Sequence, residues 1–321
     1  MPEIIKRYLD EPNVDRLARD FRFLLTAVAA SYGELELAFR RGRLSVYYRG
    51  NSLAVIVFRP ADAYRIDIHK RFLAGLDAET RAEFTLTRSY GQATVDARDA
   101  HRILQRRNIG RLMQAIRDVN HSEELTFEQI LIADNPPSPE FLLIDRQVTD
   151  HHMHRRLDLL GLRRLESGRY GFVVIEVKLG KNGELSEAVA EQLEHYVRHI
   201  RDEAPEAYAR CYEKAYAQKR RLGLITEDDM PGEIEIEGSE VEGLVVVGGY
   251  TQEAMAQAER LNASHPELRV RIFRNSLVSE GGKLIGTEPA SPDAHGLARC
   301  GAQLGLRGDV QTQRQSRTSR T

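Results

Sequence analysis

The chain has 321 residues, room for two ordinary domains or one large domain with a tail. Hydrophobic residues at 41% and charged residues at 29% exclude global disorder, and a net charge of −2 excludes a uniformly basic nucleic-acid binder, so any such contact must come from local clusters. Two cysteines far apart, Cys211 and Cys300, exclude a zinc ribbon, a CxxC redox motif and a disulfide framework, and fit a reducing cytosol.

Met1–Arg7 is charged and lacks the apolar core of a signal peptide. The longest apolar run, about eight residues near Phe23–Ala30, falls far short of the roughly 20 a membrane span needs, so a cytoplasmic protein with no membrane partner is expected. Val14, Leu17, Phe21, Leu24, Leu25 and Val28 recur at helical spacing and predict one helix over Asn13–Ser31, capped by Asn13. Glu34–Phe39, Leu44–Tyr48, Leu53–Phe58 and Tyr64–His69 are short β-rich runs separated by turn residues, an antiparallel meander. A helix over Ala97–Val119, capped by Asp96, closes this α+β unit at about residue 120; no functional motif is visible in it.

A second unit, residues 121–286, begins with a short helix from Ser122 to Ile132 and a firm break at Asn135–Pro139. Three strands are predicted over Phe141–Val148, His154–Arg164 and Tyr170–Leu179. Helices then run over Glu184–Asp202 and on to Arg221. Residues 226–242 read as an exposed acidic loop, Leu244–Val247 and Leu268–Phe273 as strands, and Gln252–Asn262 as a helix. Residues 287–321 have the composition of a disordered basic tail.

The strand Phe172–Lys178 carries the chemistry. Alternation puts Phe172, Val174, Glu176 and Lys178 on one face, so an acid and a base emerge together where an apolar strand ends. Upstream, Leu157-Asp158-Leu159-Leu160 embeds a single acid in another apolar run. A hairpin centred on Ser167 sets Asp158 opposite Glu176. Two facing carboxylates need a cation or a proton between them, and hard oxygen ligands suit Mg²⁺ or Mn²⁺. On the helix that follows, Gln192 and Tyr196 fall inside the apolar stripe of Leu185, Ala188, Val189, Leu193, Val197 and Ile200, where both need polar partners; the functional expectation is that both belong to the catalytic set and approach the metal site or the substrate phosphates. Taken singly, each feature is explained as well by a polar strand end or a core hydrogen bond; together they point to a site.

Asp158, Glu176-Val177-Lys178 and the helix Gln192–Tyr196 resemble the motifs of the PD-(D/E)XK nuclease superfamily, in its RecB-like branch with a Q-x-x-x-Y helix. Glu124–Pro136, Ile144–Thr149 and Arg156–Leu160 follow in the order of the NucS-like, mismatch- and branch-cleaving endonucleases. The resemblance spans about residues 122–200 and implies a restriction-endonuclease-like α/β core, a mixed sheet flanked by helices, behind an α+β antiparallel domain. It implies Mg²⁺- or Mn²⁺-dependent hydrolysis of DNA, in DNA repair or in defence against foreign DNA. Asp158, Glu176 and the Val177 carbonyl would hold the metal, with Glu128, or Glu124 one turn away, completing the acidic shell. Lys178 would orient or deprotonate the attacking water, or neutralise charge on the phosphate. The first unit would serve substrate recognition or dimerisation. Two departures stand out: Met153-His154-Arg155 replaces a glycine common before the Asp-bearing strand, and residues 1–120 match nothing in these endonucleases.

Among local cations, His154, Arg155, Arg156 and Arg163, with Arg164, are expected to flank the site and meet DNA. Arg98, Arg102, Arg106, Arg107 and Arg111 form a basic helical face that is as well explained by acidic partners such as Asp99. The turn Asp150-His151-His152-Met153-His154 reads as a solvated, DNA-facing turn rather than a zinc site. No GxxxxGK[ST], GxSxG or HExxH occurs. The rival expectation is a nuclease-like module that binds nucleic acid or a protein partner without cutting.

Overall fold

Two β-rich runs of the chain each build a six-stranded sheet in the computed structural model, which describes residues 4–119, 122–150, 152, 156–180, 187–248, 252–266, 268–273 and 287–289. Helices α1 (Glu11–Asp20) and α2 (Arg22–Ala29) replace the single predicted helix. The break falls at Phe21 (φ −118°, ψ 21°), whose ring is buried edge-on against Tyr64 at 4.8 Å. Asp10, not Asn13, occupies the cap position, because Pro12 in the first turn sets the helix start earlier.

Strands β1 (Leu35–Arg40), β2 (Arg43–Tyr48), β3 (Asn51–Phe58) and β4 (Tyr64–His69) form the expected antiparallel meander. The sequence reading passed over the short helices α3 (Lys70–Leu73) and α4 (Ala78–Ala82) and the strands β5 (Thr85–Leu86) and β6 (Tyr90–Val95). Neither strand shows a clean apolar alternation; β6 is held by full pairing along β4, from Tyr64↔Val95 to His69↔Tyr90. The order is β1-β2-β3-β4-β6-β5. Leu37, Leu44, Val46, Ile56, Ile66 and Ile68 point to one face and bury against α1, α2 and the helices α5 (Ala97–Ile103) and α6 (Arg106–Val119). Asp96 caps α5 as expected (Asp99 N–H to Oδ1, 2.9 Å), but the helix breaks at buried Leu104 instead of running through to Val119.

The second sheet follows α7 (Glu123–Asp134), whose N-cap is Ser122 as predicted. Its strands are β7 (Phe141–Val148), β8 (Leu157–Arg164) and β9 (Tyr170–Leu179). Then come α8 (Glu187–Arg198), a π-helical turn over His199–Glu203, α9 (Pro205–Arg221), β10 (Ile236–Gly248), α10 (Gln252–Ser264), β11 (Arg269–Phe273) and β12 (Thr287–Pro289). The order is β12-β11-β10-β9-β8-β7; β9, β10 and β11 run parallel and the outer pairings are antiparallel, a mixed sheet. Every residue of β9 is buried, which is why it reads as a nearly continuous apolar run. One face of the sheet packs on Val189, Leu193, Tyr208, Tyr212 and Ala254 of α8, α9 and α10. The other face meets Phe127 and Leu131 of α7 through Val173, Ile175, Val177 and Val246.

The acidic stretch 226–242 is not loop throughout, because β10 starts at Ile236, which pairs with Tyr170 ahead of a register shift before Val241. Glu235 and Glu237 there meet Arg169 at 3.7 and 2.5 Å, so their charge marks an ion-paired strand edge. The parts of the predicted segments at 154–155, 184–186 and 290–321 lie outside the described residues. Ile5 belongs to the core of the second sheet and Leu222 to that of the first. No helix among the described residues is long and apolar enough to cross a membrane.

Candidate functional site

The β8–β9 hairpin fixes the site. Its pairs run from Arg164↔Tyr170 to Leu159↔Ile175, all centred on Ser167, so Asp158 and Glu176 stand one step further in the same register. At that step the ladder gives way to a side-chain bond, and the Asp158 carboxylate (Oδ2) accepts the Val177 N–H at 3.0 Å. The acid embedded in β8 thus caps a main-chain donor of β9 while lying beside Glu176.

Glu176 Oε1 accepts from Lys178 Nζ at 2.9 Å and from Gln192 Nε2 at 3.0 Å. The same Gln192 amide lies 3.2 Å from the hydroxyl of Tyr196, which is fully buried. The polar pair inside the apolar stripe of α8 therefore ends on the Glu176 carboxylate. Glu176 Oε2 is buried and has no hydrogen-bond partner. A buried carboxylate oxygen left bare costs free energy unless a cation or donor reaches it.

From the other face, α7 lowers Glu128 onto the group. Its Oε2 accepts from Arg146 Nη2 at 2.7 Å and from Gln147 Nε2 at 3.0 Å, and its Oε1 lies 3.1 Å from the same amide. Exposure is 8% for Asp158, 2% for Glu176, 7% for Lys178 and 1% for Glu128. Burial raises all three carboxyls above their ordinary range. Glu176 reaches about 8, with the Asp158 and Glu124 charges adding to burial. Glu128 reaches about 7, because burial and Asp158 outweigh Arg146. Burial likewise raises Asp158, against the Val177 N–H and the Lys178 and Arg156 charges. Burial alone would lower Lys178, yet the charges of Glu176 and Asp158 lift it above an ordinary lysine.

Lys178 and Gln192 thus bond Glu176, with Tyr196 behind Gln192, and Asp158 and Glu128 come near enough to act electrostatically on the group. Glu124 also acts electrostatically on Glu176 and Lys178, as Asp158 does on Glu128, so the charges of both α7 glutamates are felt within the group. Arg156 precedes β8 close enough to act on Asp158, whereas His154 and Arg155 lie outside the described residues. Arg163 and Arg164 do not flank the group. They end β8 five and six positions beyond Asp158, about 16 Å and more along the strand, and bind Glu242 (3.2 Å) and Glu140 (3.6 Å). Asp150 is not a solvated turn residue either. Its side chain is fully buried, with Oδ2 taken by His199 Nε2 (2.5 Å) and by the Tyr208 hydroxyl (2.8 Å).

Arg146 and Gln147 were missed by the sequence reading. Arg146 is wholly buried, with Nη1 reaching Gln129 Oε1 (2.9 Å) and Glu36 Oε2 (3.2 Å) of β1. Beside it Asp145 is held by Arg40 at 2.9 Å and Arg7 at 3.6 Å. An arginine and a glutamine in a strand with isoleucine and valine were the available signal, since neither is buried without partners.

The donor set suits a hard divalent cation: two carboxylates, one with a bare buried oxygen, are the hard oxygen donors that Mg²⁺ accepts. Among the described residues no three His, Cys, Asp or Glu side chains are gathered closely enough to hold a metal unaided. Comparison with family models, with curated proteins and with solved structures found no match to this chain.

Proposed function

We propose that the protein is a metal-dependent DNA endonuclease whose site is Asp158, Glu176 and Lys178, with Glu128 in the acidic shell and a restriction-endonuclease-like second sheet as its frame. The observation that carries this reading is the bare, buried Oε2 of Glu176, on a carboxylate that Lys178 holds through its other oxygen and that feels the Asp158 charge. Asp158, Glu176 and the Val177 carbonyl would hold Mg²⁺ or Mn²⁺; such an ion supplies acidification of a water and charge to offset that on the phosphate. Lys178, kept protonated by Glu176 and Asp158, places a positive charge where the pentavalent phosphate gathers negative charge. Gln192 holds Glu176 through Oε1 and leaves Oε2 unbonded, while Tyr196 orients the Gln192 amide. Glu128, with Arg146 and Gln147 on its oxygens, acts best from behind, through a water or through Asp158. DNA repair and defence against foreign DNA are the settings this activity suits, and pairing of two copies is compatible with it.

The closure of the group favours a second reading, a nuclease-like module that binds nucleic acid without cutting it. One assay separates them. Labelled linear, mismatched, branched and single-stranded DNA is incubated with the protein and Mg²⁺, Mn²⁺ or EDTA, beside Asp158→Ala and Lys178→Ala. Metal-dependent cutting absent from both variants supports the nuclease, and binding without cutting supports the module.

A further inference from the structure

The alternation of side chains along β7 is broken twice. Leu143 packs on the α7 side of the second sheet, whereas Ile144 joins the core on the α9 side and Asp145 accepts there from the Tyr212 hydroxyl. A register shift against β8 between Leu143 and Asp145 accounts for that step. The second break follows at once. Arg146 and Gln147 are neighbours in the chain, yet both donate to the Glu128 carboxylate of α7, and Val148 then returns to the core with α8 and α9. Its cause is a left-handed backbone at Gln147, with φ 52°. Among the described residues the other non-glycines of positive φ, Tyr32, Arg49, Ala61 and Asp62, are exposed and lie in turns, while Gln147 is buried and inside a strand. Such a backbone costs free energy in any residue with a Cβ and persists where the surroundings hold it.

Glycine would carry the same bend with less strain, so the glutamine is explained by what its amide does. Gln147 Nε2 spans the carboxylate, 3.1 Å from Glu128 Oε1 and 3.0 Å from Oε2, whereas Arg146 Nη2 reaches Oε2 alone. Held by Arg146 only, the carboxylate could turn about that one bond; the amide supplies the second point. Gln147 also stands across from Asp158. The ladder pairs Arg146 with Leu159 and Val148 with Leu157, and the step between them, Gln147 against Asp158, is unpaired. On its other edge β8 is paired to β9 as far as Leu159↔Ile175, and the Asp158 carboxylate takes the next main-chain donor, the Val177 N–H. At Asp158, then, β8 is released from the ladder on both sides.

We propose that Gln147 is a positioning residue of the site: its left-handed backbone opens the β7–β8 ladder opposite Asp158 and lays its amide across both oxygens of Glu128, which fixes that carboxylate against β7. The inference rests on the nuclease reading for the use of Glu128, in the acidic shell of a divalent cation. The test takes the full chain with Gln147→Met, Gln147→Ala and Gln147→Gly. Methionine keeps the volume of glutamine and loses the amide, so a role in packing alone would leave it like the parent. Mn²⁺ affinity, read by isothermal titration without DNA, should fall about 10- to 100-fold in Gln147→Met. In cleavage the Mn²⁺ concentration for half-maximal rate should rise by a similar factor, with little change in the rate at saturating Mn²⁺. Urea titration in EDTA reads the protein without metal. Gln147→Gly should be more stable than Gln147→Ala, the reverse of the usual order inside a strand. Gln147→Met should lower the folding constant about tenfold alone and clearly less beside Glu128→Gln, where one of the two bridged oxygens is gone. Parental Mn²⁺ affinity in Gln147→Met overturns the proposal and leaves the nuclease reading standing. Equal losses with and without Glu128→Gln overturn it too, as does an Ala variant more stable than the Gly variant. A parent chain that binds no Mn²⁺ but shows the coupling to Glu128 removes the nuclease reading and keeps Gln147 as the residue that positions Glu128.

Discussion

Arg146 of β7 donates to Glu128 of α7 at 2.7 Å and, from its other nitrogen, to Glu36 of β1 at 3.2 Å. One buried guanidinium thus joins the acidic face of the site to the first sheet. Replacing it by Met leaves two carboxylates buried or half-buried without their cation, and the loss should be about 3–5 kcal/mol. Urea denaturation of Arg146→Met in EDTA checks this. A double variant with Glu128→Gln should recover part of the loss, since a neutral amide has less need of the guanidinium; a double variant no more stable than the single one would show that Arg146 acts by packing alone.

The elevated Glu176 carboxyl gives stability a definite pH dependence. Its ordinary value is 4.5 and its folded value about 8, so between these the folded chain holds a proton that the unfolded chain has released. Where the unfolded state binds fewer protons, stability falls as pH rises. In EDTA, unfolding free energy should therefore be greatest toward pH 5 and decline through pH 8, with Glu128, raised to about 7, adding to the slope. Mg²⁺ or Mn²⁺ should flatten the decline, and Glu176→Gln should flatten it without metal. Thermal melts across that range, with and without Mn²⁺, read both effects.

Much of this site was legible in advance because strand alternation and hairpin register are local rules. Centring the turn on Ser167 was enough to bring Asp158 to Glu176, and helical spacing placed Gln192 over Tyr196. Arg146 in an apolar strand signals only that it needs partners; which ones was not legible, since Glu36 and Glu128 are 110 and 18 residues away. The breaks at Phe21 and Leu104 were hidden for the opposite reason. Both residues fit an apolar stripe, and only the packing of the core turns each into a helix end. Strand β6 escaped because its pairing to β4, not its own pattern, makes it a strand.

Gln192 touches Glu176 without being placed to touch substrate, so its loss should separate activity from folding. Gln192→Ala removes one donor from Glu176 Oε1 while Lys178 keeps the other. DNA cleavage, if the nuclease reading holds, should drop about 10- to 100-fold. Tyr196→Phe, which keeps the buried ring, should cost less. Cleavage rates across a Mn²⁺ series distinguish positioning from damage: a positioning role raises the Mn²⁺ concentration for half-maximal rate, whereas damage lowers the rate at every concentration.

The turn that carries Arg49 and Gly50 offers a contrast between backbone strain and steric crowding. Gly50 has φ +71°, and a Cβ there would lie 2.8 Å from Leu125 Cβ and 2.9 Å from Arg146 Nη2. Gly42, in the turn between β1 and β2, has nearly the same φ of +66°, but a Cβ there meets nothing within 4 Å. Gly42→Ala should therefore report the left-handed backbone alone, about 1 kcal/mol. Gly50→Ala adds a clash with α7 and with the guanidinium that holds Glu128, and should cost about 2–4 kcal/mol in all. The excess should appear in cleavage as well, because relieving the clash moves Arg146, which holds Glu128, or Leu125, which belongs to the helix that presents Glu124 and Glu128. Equal destabilisation in the two variants, read by urea titration, would mean that the β2–β3 turn can shift away from Arg146 without disturbing it.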